Sequence, residues 1–356
     1  MILKLLEPIP KIIVNKDDIM SIPEKLQQAI EQQLNNIGLS DILEARKELT
    51  ERYRSHQKQH LMTNDQHRMA YIAARMPATY SVNHRIFEEI KSRTKSLTVN
   101  SFLDLGAGPG TAMWAAADVF PDLNQVTLIE KDVQLAEIGK RLTVSSENNV
   151  LLGAKWQLGD LEQQLNLPKS DLVVLSYSVG ELSEKVIPSL IEKCWVAANQ
   201  LLVVIEPGTP QGFERIRAIR RQLIDLSGNM VAPCPHAMTC PMTGNDWCHF
   251  SERIERTSLH RRIKEGTLGH EDEKYSYVVF SKMAVELPES RVLRHPMRKT
   301  GHVNLVLCKA EGIIKQETVS KKNRELYRQA RKVEWGSPFP DESIEIELIQ
   351  TQKKIY

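Results

Sequence analysis

The chain has 356 residues, 41% hydrophobic and 26% charged, with a formal net charge of +2. That length can bury a sizeable core, as two domains or as one α/β domain with additions. No apolar run approaches the length of a membrane span, and a near-neutral total charge names no class of partner.

Met1–Asn15 is apolar with Lys4 and Lys11, but Pro8 and Pro10 break it and no small-residue cleavage site follows. No signal peptide is expected there. Asp17 and Asp18 argue against a mitochondrial transit peptide, so the expected compartment is a prokaryotic cytoplasm. Residues 1–98 are expected to be a helical region. Ile22, Leu26, Ile30 and Leu34 recur at helical spacing, and Ile42, Leu43 and Leu49 give a second pattern. A third segment, His67–Arg75, stops at Pro77, and a fourth runs from about Ser81 to Ser92.

From residue 100 short apolar runs alternate with helical ones. The runs are Ser101–Leu105, Gln125–Glu130, Ala154–Leu158, Asp171–Ser176 and Leu201–Glu206, with helices expected at about 111–119, 132–143 and 183–198. Such alternation implies right-handed βαβ crossovers and a parallel sheet, hence an α/β fold with a Rossmann-like core over residues 99–227. A Pro-, Cys- and His-rich stretch at 231–250 is too irregular for either element and lies in an expected metal insert at 228–272. Tyr275–Phe280 and His302–Cys308, within 273–310, read as last strands of the same sheet. Residues 311–356 read as a basic helix, at 320–332, and a mobile tail after Pro340.

The most informative run of the first half is Asp104-Leu105-Gly106-Ala107-Gly108-Pro109-Gly110-Thr111, between the first strand and a helix. Glycines let the backbone turn tightly and approach a ligand, and the helix N-terminus offers free N–H donors. The pattern is Asp-x-Gly-x-Gly-x-Gly, not the Gly-x-Gly-x-x-Gly of dinucleotide sites. Glu130 closes the second strand, where a carboxylate can accept both ribose hydroxyls. Asp160 follows the third, where an acidic side chain can reach an adenine amino group.

These features resemble the class I methyltransferase superfamily. The resemblance implies S-adenosylmethionine as cofactor, with Asp104, Gly106, Gly108 and Gly110 lining its methionine end. It places Glu130 at the ribose, Asp160 at the adenine and Ser176 near the reactive methyl. The catalytic residue stays unassigned: Glu181 or Tyr177 could be a base, but each reads more readily as a packing or solvated residue.

Five cysteines occur, none in the first 193 residues. Cys234, Cys240 and Cys248 form a Cys-x5-Cys-x7-Cys run, and Cys308 returns about sixty residues later on a late strand. Four thiolates suit a tetrahedral zinc ion or a [4Fe–4S] cluster; zinc sites usually show closer pairs, whereas the corners of a cluster tolerate wide gaps. His236 and His249 are alternative ligands, and Cys194, inside a helical pattern, reads as core. Basic clusters at 215–221, 253–264, 291–299 and 321–332 suit a phosphate backbone.

Arg75–Tyr80, Asp104–Thr111, Glu206–Pro210, Cys234–His236, Trp247–Phe250, Glu271–Tyr277 and Gly301–Val303 leading to Cys308 together resemble a small-ribosomal-subunit-associated methyltransferase-like family. Its eukaryotic members act in mitochondrial ribosome assembly. The resemblance implies a [4Fe–4S] cluster on Cys234, Cys240, Cys248 and Cys308, and docking on the small ribosomal subunit and its rRNA. No membrane partner is expected, and the oligomeric state stays open with a monomer as the expectation. It leaves three activities open: an rRNA methyltransferase, a non-catalytic assembly factor, and a zinc-containing small-molecule or protein methyltransferase.

Overall fold

The computed structural model describes residues 20–340 apart from 36, 55–61 and 265–267. The apolar run Met1–Asn15 and the tail after Pro340 lie outside the described residues. Four helices come first. α1 (Glu24–Leu34) buries Leu26, Ala29, Ile30 and Leu34, one stripe at helical spacing. α2 (Leu39–Arg54) precedes α3 (Asp65–Ala74), whose N-cap Asn64 accepts the His67 N–H on its side chain. α4 (Met76–Arg93) begins earlier than Ser81, because Pro77 sits in its first turn, where a missing N–H costs nothing.

Strands and helices then alternate as expected. They are β1 (Ser101–Leu105), α5 (Thr111–Val119), β2 (Gln125–Glu130), α6 (Val133–Thr143), α7 (Asn149–Leu152), β3 (Lys155–Leu158), β4 (Ser170–Ser176), α8 (Ile187–Ala197), β5 (Ala198–Pro207) and α9 (Pro210–Asp225). These strands pair in parallel in the order β3-β2-β1-β4-β5. Alternate residues serve opposite faces. Phe102, Leu128, Leu172, Val174 and Val203 pack with α1–α6, while Leu103, Val173, Leu175, Leu202 and Val204 pack with α8 and α9. Burial on both faces explains why these strands read as continuous apolar runs.

β6 (Asn229–Ala232), β7 (Phe250–Glu255), α10 (Ser258–Lys264) and β8 (His270–Ser281) complete this layer. β8 runs antiparallel to β5, and β6 and β7 both pair antiparallel with β8. The expected insert therefore holds two strands of the main sheet, and its irregular part is the loop between them.

The expectation that His302–Cys308 extends the main sheet is corrected. It forms β11 (His302–Lys309) of a second, antiparallel sheet with β9 (Ser290–Val292), β10 (Met297–Lys299) and β12 (Ile314–Ser320). β6 and β7 already occupy the free edge of β8, and tight turns at Gly301 (φ +89°) and Gly312 (φ +75°) favour local hairpins. α11 (Arg324–Ala330) covers one face of this sheet, over Val303, Leu305, Leu307 and Val319. Val306 and Cys308, on the opposite face of β11, turn toward Phe213, Met242 and Leu293 beside Cys240 and Cys248.

Candidate cofactor site and cysteine cavity

Strand order reverses at β1, whose neighbours β2 and β4 lead away in opposite directions. In open α/β sheets ligands bind at the carboxyl ends of the strands at such a switch point. Here those ends carry Asp104, the glycine turn, Glu130 and Ser176. Gly106, Gly108 and Gly110 have φ of +69°, +56° and +81°, a region open to glycine and costly for other residues. A Cβ on Gly106 would also lie 2.5 Å from the Ser178 Cβ. Ser178 is fixed there by donating from Oγ to the Leu105 carbonyl (2.9 Å).

Asp104 is buried, and its Oδ2 has no hydrogen-bond partner among the described residues. Burial, with the Glu130 carboxylate adding to it, pushes the Asp104 carboxyl up to about 8. The Thr111 hydroxyl is likewise buried without a partner. Glu130 accepts the Gly108 and Asp132 N–H groups, each at 2.8 Å, one on each oxygen. Burial still raises its carboxyl. Asp160 accepts the Glu162 N–H (3.0 Å) in a local turn. The Ser176 hydroxyl accepts from Asn83 Nδ2 of α4 (3.0 Å).

Tyr177, next along, has φ +59° and a buried hydroxyl with no partner among the described residues. Its ring faces Arg75 at 5.9 Å, and Arg75 makes a bidentate pair with Glu273 at 2.9 and 3.0 Å. Burial raises Glu181 and Glu206 each to about 7, although Arg215 holds Glu206 at 3.0 Å. Sequence reasoning missed Asn83 and left Glu206 without a role. The visible signals were a polar residue inside the helical run of α4 and a carboxylate ending an apolar strand.

The four expected cysteines do converge. Cys234, Cys240, Cys248 and Cys308 line one cavity of about 590 Å³, counting its open mouth. They arrive from the loop between β6 and β7 and from β11. Among the described residues, however, no three His, Cys, Asp or Glu side chains close together as the ligands of a single ion do. Arg220 Nε donates to Cys234 Sγ (3.3 Å), and the same guanidinium donates to the His236 and Met238 carbonyls, both at 2.8 Å. His236 Nε2 lies 3.5 Å from Cys308 Sγ. Burial raises the Cys240 thiol, pushes Cys308 up to about 12, and carries Cys248 well above the usual thiol range. Cys194 is buried within α8, apart from this group.

Arg291 turns inward and several other residues of the basic clusters are held in ion pairs, which corrects the reading of these clusters as wholly phosphate-facing surfaces. Arg291 is buried and donates to the Pro233 carbonyl (2.7 Å), the Gly336 carbonyl and Glu89. Arg253 pairs with Asp272, Arg256 and Lys264 with Glu271, and Arg298 with Glu334.

The human mitochondrial ribosome assembly protein METTL17 is 26% identical over 294 residues, which cover 76% of this chain and 62% of that protein. A mitochondrial Rsm22-cox11 tandem protein of Schizosaccharomyces pombe is 27% identical over 332 residues, covering 76% of this chain and 43% of that one. The chain thus spans less than two thirds of the length of either relative. A solved TehB-like SAM-dependent methyltransferase from Corynebacterium glutamicum aligns with a TM-score of 0.35 and 14% identity, over 56% of this chain and 87% of that one. The relatives are named as mitochondrial proteins, which overturns the expected prokaryotic cytoplasm. That expectation leaned on Asp17 and Asp18, which lie outside the described residues. A family model described as "Mitochondrial small ribosomal subunit Rsm22" matches residues 65–340, and the chain belongs to that family.

Proposed function

We propose that this protein binds S-adenosylmethionine at the switch point, holds a [4Fe–4S] cluster in the cysteine cavity, and serves assembly of a small ribosomal subunit of the mitochondrial kind. The observation that carries the reading is the row of strand-end groups left open for a ligand. Asp104 and Thr111 are buried with polar atoms that have no partner among the described residues, beside three left-handed glycines. The family and the names of the relatives supply the ribosomal setting.

S-adenosylmethionine, when bound, supplies a methyl group on a positively charged sulfur. Asp104 and the Gly106–Gly110 backbone would hold its methionine end, Glu130 its ribose and Asp160 its adenine. Asp104 would ionise against that positive charge, since an opposite charge favours the carboxylate. The four thiols would hold the cluster. Their donor chemistry fits: Arg220 already hydrogen-bonds Cys234, and a cationic centre would offset the burial that now keeps the other thiols protonated. Zinc is the alternative occupant, and iron, sulfide and zinc content of anaerobically purified protein decides between them.

A second reading, an assembly factor without methyl transfer, is favoured by the crowding after β4. Ser176 is engaged by Asn83, and Tyr177 is half-buried with its ring against Arg75. The experiment is calorimetric titration with S-adenosylmethionine, followed by transfer of labelled methyl to immature small subunits. Transfer that disappears in Gly106→Arg supports an rRNA methyltransferase. Binding without transfer supports the assembly factor. No binding at all overturns the proposed cofactor site.

A further inference from the structure

Residues 290–340 hold twelve lysines and arginines against four glutamates, within a chain whose total is only +2. Three of those glutamates are already partnered: Glu317 with Lys309 and Lys315, Glu325 with Arg328, and Glu334 with Arg298. Lys299, Lys321, Lys322 and Lys332 are exposed and make no ion pair among the described residues. The topology gathers the first three. Lys299 pairs with His302, His302 with Ser320, and the Lys321 N–H donates to the Gly301 carbonyl. Lys299 and Lys321 thus stand at one end of the second sheet, two strand spacings or about 10 Å apart.

A file of rings reaches the same sheet. Trp247 stacks on His249 at 5.0 Å, His249 meets Trp335 edge-on at 4.8 Å, and Trp335 meets His295 at 4.9 Å. His295 is exposed and Trp335 is half-buried. Arg298 ties the two groups, donating from β10 to the Arg331 and Val333 carbonyls beside Trp335.

We propose that this end of the second sheet binds an unpaired RNA strand, with His295 and Trp335 stacking on bases and the four lysines taking phosphates. The inference rests on the ribosomal reading for the kind of nucleic acid. The surplus of unpaired positive charge argues for a polyanion. The rings argue for an unpaired strand, because aromatic side chains stack on splayed bases while duplex RNA hides its bases and is read by shape.

The test uses the full chain and fluorescence anisotropy with a labelled single-stranded RNA of mixed sequence and a matched duplex. The wild type should bind the single strand more tightly. Lys299→Glu/Lys321→Glu/Lys322→Glu should weaken that binding about tenfold or more and lower the log–log salt slope by roughly 2. His295→Ala should weaken it about fivefold without changing the slope. Reversal of two exposed arginines on α10, Arg261→Glu/Arg262→Glu, should change neither. If the triple reversal loses its native melting transition, the Lys→Gln triple carries the test. The proposal is overturned if the triple variant binds like the wild type, if the duplex binds equally and His295→Ala has no effect, or if the wild type binds neither RNA. S-adenosylmethionine titration of the same samples reports the cofactor site separately, so the two readings can fail independently.

Discussion

Asp104 shows how much a single carboxyl can report. Its value near 8 exceeds the ordinary 3.8, so the folded ligand-free protein holds a proton that the unfolded chain releases. Stability is then fully present at the acid end and lost as pH rises through this interval. Glu181 and Glu206, each raised to about 7, act with the same sign. The melting temperature of the ligand-free protein should fall between about pH 4 and 8, and Asp104→Asn should flatten the fall. An unchanged slope in the variant would show that Asp104 ionises freely in the fold. At Gly106, alanine meets both a left-handed φ and the Ser178 side chain, so Gly106→Ala should cost more than about 1 kcal/mol in urea unfolding and weaken S-adenosylmethionine binding. Cys240→Ser should lower both iron content and melting temperature; unchanged values of both would remove Cys240 from the ligand set.

At the scale of elements, α4 is held from two directions. Asn83 reaches Ser176 at the switch point, and Glu89 receives Arg291 at 2.5 Å, Arg93 at 2.9 Å and Tyr277 at 2.7 Å. Burial alone would raise Glu89, but Arg291 and Arg93 outweigh it and hold the carboxyl at about 2. Arg291→Met strips a buried carboxylate of its main partner and should cost about 3 kcal/mol in chemical unfolding. A loss within a few tenths of a kcal/mol would mean that Arg93 and Tyr277 suffice. None of this pairing could be read in advance, because Glu89 and Arg291 lie 202 residues apart. The parallel strands were legible, since burial on both faces writes continuous apolar runs such as Leu172–Leu175. The short β9, β10 and β12 were not: Ser290–Val292 and Met297–Lys299 are too short to show a period, and β12 is mostly exposed and polar. The basic clusters misled for a related reason. Composition counts charge but not partners, and Arg291 looks in sequence like the exposed Lys299.

Across the whole molecule, the cysteine cavity lies where α9, the loop between β6 and β7, and the second sheet meet. A centre bound there would cross-link the two sheets, since Cys308 belongs to one and the other three thiols to a loop of the other. Chelation should therefore speed amide exchange in β9 and β11 while leaving β1 and β2 protected. Equal acceleration in all four strands would point to global loosening instead. β8 is the strand that both regions share. Within a few residues it pairs with β5 and β7, donates from Ser276 Oγ to the Cys248 carbonyl (2.9 Å), and donates from the Tyr277 hydroxyl to Glu89 (2.7 Å). Side chains there alternate between faces, so deleting one residue from 276–280 would swap inside for outside on everything beyond the cut. The cysteine loop and α4 would lose their anchors together. Length variation can be absorbed only further along, in the exposed stretch at 282–284.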